Sequence, residues 1–287
     1  MFKQEVRYNM ARLVGFIGNR PDLGARVLEI EARQLVVPRK TETIPGWGVG
    51  FYQGGEFLLK RRPIDDRPTL DFRDMTRDLR ADILVAHVRV GTVGAARSEN
   101  THPFRYRQWL FAQTGTINTF STLRGRLTDS LPQFLLRDVR GETDAELLFH
   151  LFLSFLHDAG QLDRPHVPPN VARSALRSSL ALVDRLCAEE GQGPTSLNLL
   201  LASSEYLIAV HGHGRMAMRV LHGVQDLEGV LGDGGLGRMR LPDFAACSLS
   251  LVASDFENDA TLVGWTDVAD RAIVTFTRTE DPHIELI

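Results

Sequence analysis

The sequence is poor in cysteine, in lysine and in long apolar runs. Its 287 residues include two cysteines, Cys187 and Cys247, sixty positions apart with no ligand-type partner beside either. That excludes a disulfide framework and a cysteine-based zinc site, and it fits a reducing compartment. Lysine occurs three times, at Lys3, Lys40 and Lys60, among 33 basic residues, so arginine dominates, which reads as codon bias rather than as a binding signal. Positive charge is not in excess: 33 basic against 36 acidic residues leave a net charge of −3. No global field exists to attract nucleic acid or anionic lipid, so neither is an expected partner. The most apolar stretch, residues 147–156, is interrupted by His150 and Ser154. It falls far short of the ~20 residues a membrane span needs. No apolar core follows the charged start Met1-Phe2-Lys3-Gln4-Glu5-Val6-Arg7. A secretory leader is therefore not expected, and the cytoplasm is the expected location.

What is there is ordinary globular material, 43% hydrophobic and 24% charged, with enough chain to bury a core. Short apolar runs ended by glycine or turn residues predict strands over 11–17, 83–90 and 109–112. Residues 47–52 and 56–60 flank Gln53-Gly54-Gly55, a hairpin signal. Helices are expected over 22–31, from Thr143 to just before Gly160, and over 171–190. Thr143-Asp144-Ala145-Glu146 reads as a capping box, and the helix it opens is apolar nearly all round, as for a helix buried between layers. The last third reads as a β-meander, with strands at 197–202, 206–210, 216–221, 248–253 and 272–276. Two helices between two sets of strands imply one α+β domain of sheets sandwiched by helices.

Several motifs have a bland explanation. Gly232-Asp233-Gly234-Gly235-Leu236-Gly237 satisfies G-x-G-x-x-G, but Pro242 soon follows and blocks the helix a phosphate cradle requires. His211 and His213 fall on one face of a strand without a third ligand nearby, so no metal is expected. Lys60-Arg61-Arg62 and Arg105-Tyr106-Arg107 are small basic clusters best explained as solvated loops. Cys187 falls on the inner face of a helix and reads as core. The informative residues are Arg89 at the end of a buried strand, Gly115 after the next, and Asp144 in the first turn of the buried helix. A fixed guanidinium and a fixed carboxylate suit the two ends of an amino-acid zwitterion.

Read in order, five segments carry a resemblance: Gly46-Trp47-Gly48-Val49-Gly50-Phe51-Tyr52, Ala86-His87-Val88-Arg89-Val90-Gly91-Thr92, Asn100-Thr101-His102-Pro103-Phe104, Trp109-Leu110-Phe111-Ala112 and Thr143-Asp144-Ala145-Glu146-Leu147-Leu148-Phe149. Together they resemble the class II glutamine amidotransferases, the N-terminal-nucleophile hydrolase type, and among them the stand-alone γ-glutamyl amidohydrolases. Leu197-Asn198-Leu199-Leu200-Leu201 and Val252-Ala253-Ser254 agree more loosely. The resemblance implies a four-layer αββα sandwich forming a single domain over 11–287, behind an N-terminal extension over 1–10. It implies no cofactor. It also implies an N-terminal cysteine that attacks the glutamine amide with its own α-amine as base, an Asn-Gly oxyanion pair, and an Arg, Thr and Asp clamp, here Arg89, Thr92 and Asp144 beside Gly115.

The chain departs from that pattern at the chemistry. The family's Met-Cys-Arg-Leu start aligns with Met10-Ala11-Arg12-Leu13, so Ala11 stands at the nucleophile position. A methyl group has no lone pair with which to attack, and ten preceding residues make the Ala11 nitrogen an amide. The oxyanion motif reads Gln113-Thr114-Gly115, with a hydroxyl in place of an amide donor. The expectation is a pseudoenzyme that keeps Arg89, Thr92, Gly115 and Asp144 as a binding clamp. Its candidate partners are a second protein, another copy of itself, or a glutamine-like small molecule. The alternative keeps amide hydrolysis with Thr114 or Cys247 as nucleophile. Residues 1–10 are a candidate docking strand or plug for the old pocket.

Overall fold

The computed structural model describes residues 11–31, 46–63, 76, 79–89, 94–232, 244–255 and 263–287. Its frame follows from strands whose every side chain is buried. β1 (Arg12–Gly18) and β4 (Ile83–Arg89) are buried at all seven positions. Alternation then sends odd and even residues to different layers. Leu13, Ile17, Ile83 and Val85 join one apolar cluster, while Val14, Phe16, Leu84, Ala86 and Val88 join another.

The first of those clusters lies between two antiparallel sheets. The larger orders its strands β11-β9-β10-β1-β4-β2-β3, and the smaller β13-β12-β8-β7-β6-β5. In chain order they are β2 (Gly46–Gln53), β3 (Glu56–Arg62), β5 (Phe104–Tyr106), β6 (Trp109–Gly115), β7 (Leu197–Ala202), β8 (Tyr206–Val210), β9 (Met216–His222), β10 (Ser248–Ser254), β11 (Thr266–Asp267), β12 (Ala272–Thr277) and β13 (His283–Leu286). Helix α1 (Pro21–Glu31) and a later helix, Gly223–Leu231, cover the outer face of the large sheet. The smaller sheet is covered by α2 (Phe120–Asp129), the one-turn α3 (Gln133–Leu136), α4 (Asp144–Asp158) and α5 (Pro169–Glu189). Helix Gly223–Leu231 is α6. The four layers run α, β, β, α, as the resemblance implies.

Three local expectations are corrected. Thr143 does cap α4, accepting from the Glu146 amide at 3.2 Å. Glu146, however, does not reach back to Thr143; its carboxylate takes the amides of Arg140 at 2.9 Å and Gly141 at 2.7 Å, so it braces the preceding loop. The last third is not a meander, because β7 and β8 belong to the small sheet, β9 to β11 to the large one, and β12 and β13 to the small one again. Finally, α2, α3, α6, β5, β11 and β13 are elements that the apolar periodicity did not announce. Of the glycine-rich run, Gly232 ends α6, and the rest lies outside the described residues.

Candidate functional site

The same alternation assembles a site at one end of the space between the sheets. Arg89 continues Ile83 and Val85 on the inner face of β4, Thr114 continues Leu110 and Ala112 on β6, Asn198 continues Leu200 on β7, and Ser254 continues Val252 on β10. Ala11, half-buried, immediately precedes β1. Its neighbour Arg12 pairs with Val88 and Leu13 with Ser254, so position 11 stands between the end of β4 and the end of β10. The structure therefore brings Ala11, Arg89, Thr114, Gly115 and Asp144 to one region. Thr92 lies outside the described residues.

Gly115 ends β6 with φ +84°, a left-handed conformation that favours glycine. A Cβ there would also meet the Ser196 carbonyl oxygen at 2.4 Å. Asp144 approaches from the helical layer. Its Oδ2 accepts the Ile117 amide at 2.7 Å and Gln113 Nε2 at 3.5 Å. Burial raises its pKa above the ordinary carboxylate range, while backbone donors, Ile117 foremost, and Gln113 work the other way. No cationic side chain among the described residues pairs with it. Arg89 is buried and donates to the carbonyls of Gly94 at 3.1 Å and Ala95 at 3.3 Å, with burial lowering its pKa.

The group that sequence reasoning missed is Asp255. It follows β10 with φ +60°, and its carboxylate is almost wholly buried. Its Oδ2 collects the Thr114 hydroxyl at 2.5 Å, the Ser254 hydroxyl at 2.5 Å and Asn198 Nδ2 at 3.0 Å. Burial raises its pKa, opposed by those three donors and by His213. Thr114 thus spends its hydroxyl proton on the Asp255 carboxylate. His213 Nε2 lies 4.0 Å from Asp255 Oδ1, and its Nδ1 is 3.0 Å from Ser196 Oγ. That row lacks the arrangement of a working nucleophile, since Ser196 also donates to the Gly212 carbonyl at 2.9 Å and the carboxylate–imidazole gap exceeds a hydrogen bond. The one sequence cue to Asp255 was its place next to Val252-Ala253-Ser254.

Of the two alternative nucleophiles, Thr114 donates its hydroxyl to Asp255. Cys247 sits in the outer cluster between the large sheet and α1, and burial pushes its thiol up to about 11. Cys187 is a core residue of α5, also raised by burial. Iodoacetamide at pH 8 is accordingly expected to leave both thiols of the folded protein unmodified and to label both after denaturation, read by intact mass. His211 bonds the carbonyls of Val268 and Ala269 through Nδ1 and that of Gly214 through Nε2, and no metal-holding group of His, Cys, Asp and Glu occurs among the described residues. No helix among them is long and apolar enough to cross a membrane.

Two facing antiparallel sheets between helical layers, with the strand ends converging on position 11, define the N-terminal-nucleophile hydrolase type of fold. The family described as glutamine amidotransferases class-II matches residues 31–223, and the chain belongs to it. Over 123 residues it is 35% identical to the probable glutamine amidotransferase DUG3 of Saccharomyces cerevisiae, a match covering 40% of this chain and 34% of the yeast protein. Over 117 residues it is 29% identical to the gamma-glutamyl-hercynylcysteine sulfoxide hydrolase of Mycobacterium tuberculosis, covering 38% of this chain and 50% of that one. These matches thus span about a third to a half of the relatives' length. The fold is shared with a glutamine aminotransferase class-II domain protein from Silicibacter pomeroyi, at TM-score 0.57 and 18% identity, over 96% of this chain and 98% of that chain.

Proposed function

We propose that this chain is a catalytically inactive class II glutamine amidotransferase-like protein that senses an amino-acid or γ-glutamyl ligand. The observation that carries the reading is Asp144: a buried carboxylate, braced by the Ile117 amide, with no cation paired to it among the described residues. Such a charge is costly unless a ligand completes it. An α-ammonium group supplies that partner, and Arg89 stands in the same region for the α-carboxylate. Ala11 supports the inactive half of the proposal, and so does Thr114, whose hydroxyl is held by Asp255. The name of the mycobacterial relative, a gamma-glutamyl-hercynylcysteine sulfoxide hydrolase, supports γ-glutamyl compounds as the ligand class.

The test is thermal and chemical stability against glutamine, glutamate and γ-glutamyl dipeptides, paired with an ammonia-release assay. Saturating ligand at about 100 times its Kd should add about 2.7 kcal/mol, with no ammonia released. Asp144→Asn keeps an oxygen for the Ile117 amide, so the fold should survive while the ligand-induced gain disappears. The gain should also shrink as the pH falls toward the raised pKa of Asp144, because the protonated acid no longer attracts an ammonium. Stability unmoved by every ligand overturns the sensor and leaves the partner-binding form of the proposal. Ammonia release by the wild-type protein, lost in Thr114→Val or Cys247→Ala, would instead make the chain an active amidohydrolase.

A further inference from the structure

The two basic clusters that the sequence separates by more than forty residues meet in space. β3 is the edge of the large sheet and β5 the edge of the small one. Between them, beside the second turn of α4, opens a cleft of about 590 Å³, lined from below by Leu59, Phe104 and Phe149 and from the sides by Arg61, Arg105, Arg107 and Arg140. Ala11, Arg89, Gly115 and Asp144 do not line it. The volume is that of a small-molecule pocket.

The charges around the cleft divide into spent and unspent. Glu146 is consumed by the amides of Arg140 and Gly141. Arg107 is paired with Asp163 and lies over the Tyr106 ring. His150 Nδ1 bonds the Glu146 carbonyl at 2.8 Å, and burial lowers its pKa, so the ring is neutral. What remains is different. The Arg140 guanidinium has no ion pair among the described residues. Arg61 has a single backbone acceptor, the Thr101 carbonyl at 3.1 Å, and Arg105 one long contact to the Arg107 carbonyl at 3.4 Å. Burial opposes the Arg61 charge, Glu99 and Glu146 favour it, and Arg140 repels it. Guanidinium groups that line one cleft with donors unspent are the arrangement that takes up a forked oxyanion.

We propose that this cleft binds a small molecule carrying a phosphate or carboxylate group, bridged by Arg61 and Arg140, with its apolar part on Leu59, Phe104 and Phe149. Glu99 and Asp138 on the same rim disfavour a polyanionic strand and suit a compact ligand that also carries donors. The site is separate from the amino-acid clamp and does not depend on it.

Isothermal titration at constant ionic strength, with pyrophosphate in one arm and citrate in the other, tests the proposal. At least one probe should bind saturably with one site per chain, and the preferred arm says whether phosphate or carboxylate is the better ligand. Arg61→Gln/Arg140→Gln should weaken that probe tenfold or more, and Arg140→Gln alone should weaken it without changing the melting temperature, since the Arg140 side chain is exposed. Arg140→Lys should retain part of the affinity, because it keeps the charge and loses the fork. Asp144→Asn should leave binding unchanged. No saturable binding by either probe, or binding indifferent to the double substitution, overturns the proposal.

Discussion

Unfolding free energy is expected to fall between pH 7 and pH 5, by about 2 kcal/mol from one buried histidine alone. The cause is a pair of buried imidazoles, His87 on the inner face of β4 and His102 in the loop before β5, with ring centroids 4.2 Å apart. Burial, with Arg89 nearby, pushes His87 down to about 3; burial, His87, Arg89 and Arg61 hold His102 well below the ordinary histidine range. In the unfolded chain both titrate near 6.5. At pH 7 neither state takes up these protons, so the pair carries no penalty. At pH 5 the unfolded chain is protonated at both, while folded His87 is not. The His87 proton is then worth about 1.5 pH units times 1.36 kcal/mol, or about 2 kcal/mol in favour of unfolding, and His102, lowered in the same direction, adds to it. His150, also lowered by burial, acts in the same direction. Asp144 and Asp255 act oppositely, since their raised pKa values add stability as the pH falls through them. Urea unfolding at pH 7, 6 and 5 reads the difference. His87→Gln/His102→Gln should be less stable at pH 7 yet show a flatter profile, and equal wild-type stability at pH 5 and 7 would refute the account.

Gly48→Ala should cost about 3 kcal/mol or more, a drop in Tm on the order of 10 °C. Gly48 pairs with His87 across β4 and with Arg61 across β3. A Cβ at this position would stand 1.9 Å from the His102 carbonyl oxygen and 3.0 Å from Arg61 Cγ. The obstacle is backbone, and that backbone is anchored: Thr101 donates through its amide to Ser98 and through its hydroxyl to Arg97 at 2.9 Å, while Arg61 holds the Thr101 carbonyl. Gly125→Ala is the matched control, because a Cβ there meets nothing within 4 Å in the middle of α2. It should be neutral or raise stability by up to about 1 kcal/mol. Scanning calorimetry on the two variants separates close approach from a general effect of adding a methyl.

The sequence made the sandwich legible where burial leaves a continuous signature. The 83–90 run became β4, ending at Arg89, and the Thr143 cap marked the start of α4 to the residue. The missed helix α2 shows why the rest was harder. It buries only Phe120, Leu123 and Leu127 among arginines, threonines and Gly125, a face too thin to register as periodic. β5 has three residues, too few for alternation to speak. Sheet membership is not local at all: β8 and β9 are separated by a short turn yet belong to different sheets. Of the candidate site, Arg89, Gly115 and Asp144 were legible because each ends or begins a strong element. Asp255 was not, because it touches Thr114 across 141 positions from a loop.

The Asp255–Thr114 bond also bears on any attempt to install amide hydrolysis, under the function proposed above. The Asp255 carboxylate beside the Thr114 hydroxyl would repel a negative oxygen built there. A cysteine placed at position 11 alone would then supply an attacking atom without a free donor opposite it. Changing Asp255 in turn strands the Thr114 and Ser254 hydroxyls and the Asn198 amide, the buried donors it gathers from three strands. Under that reading the corner is a single unit, and its members are replaced together or not at all.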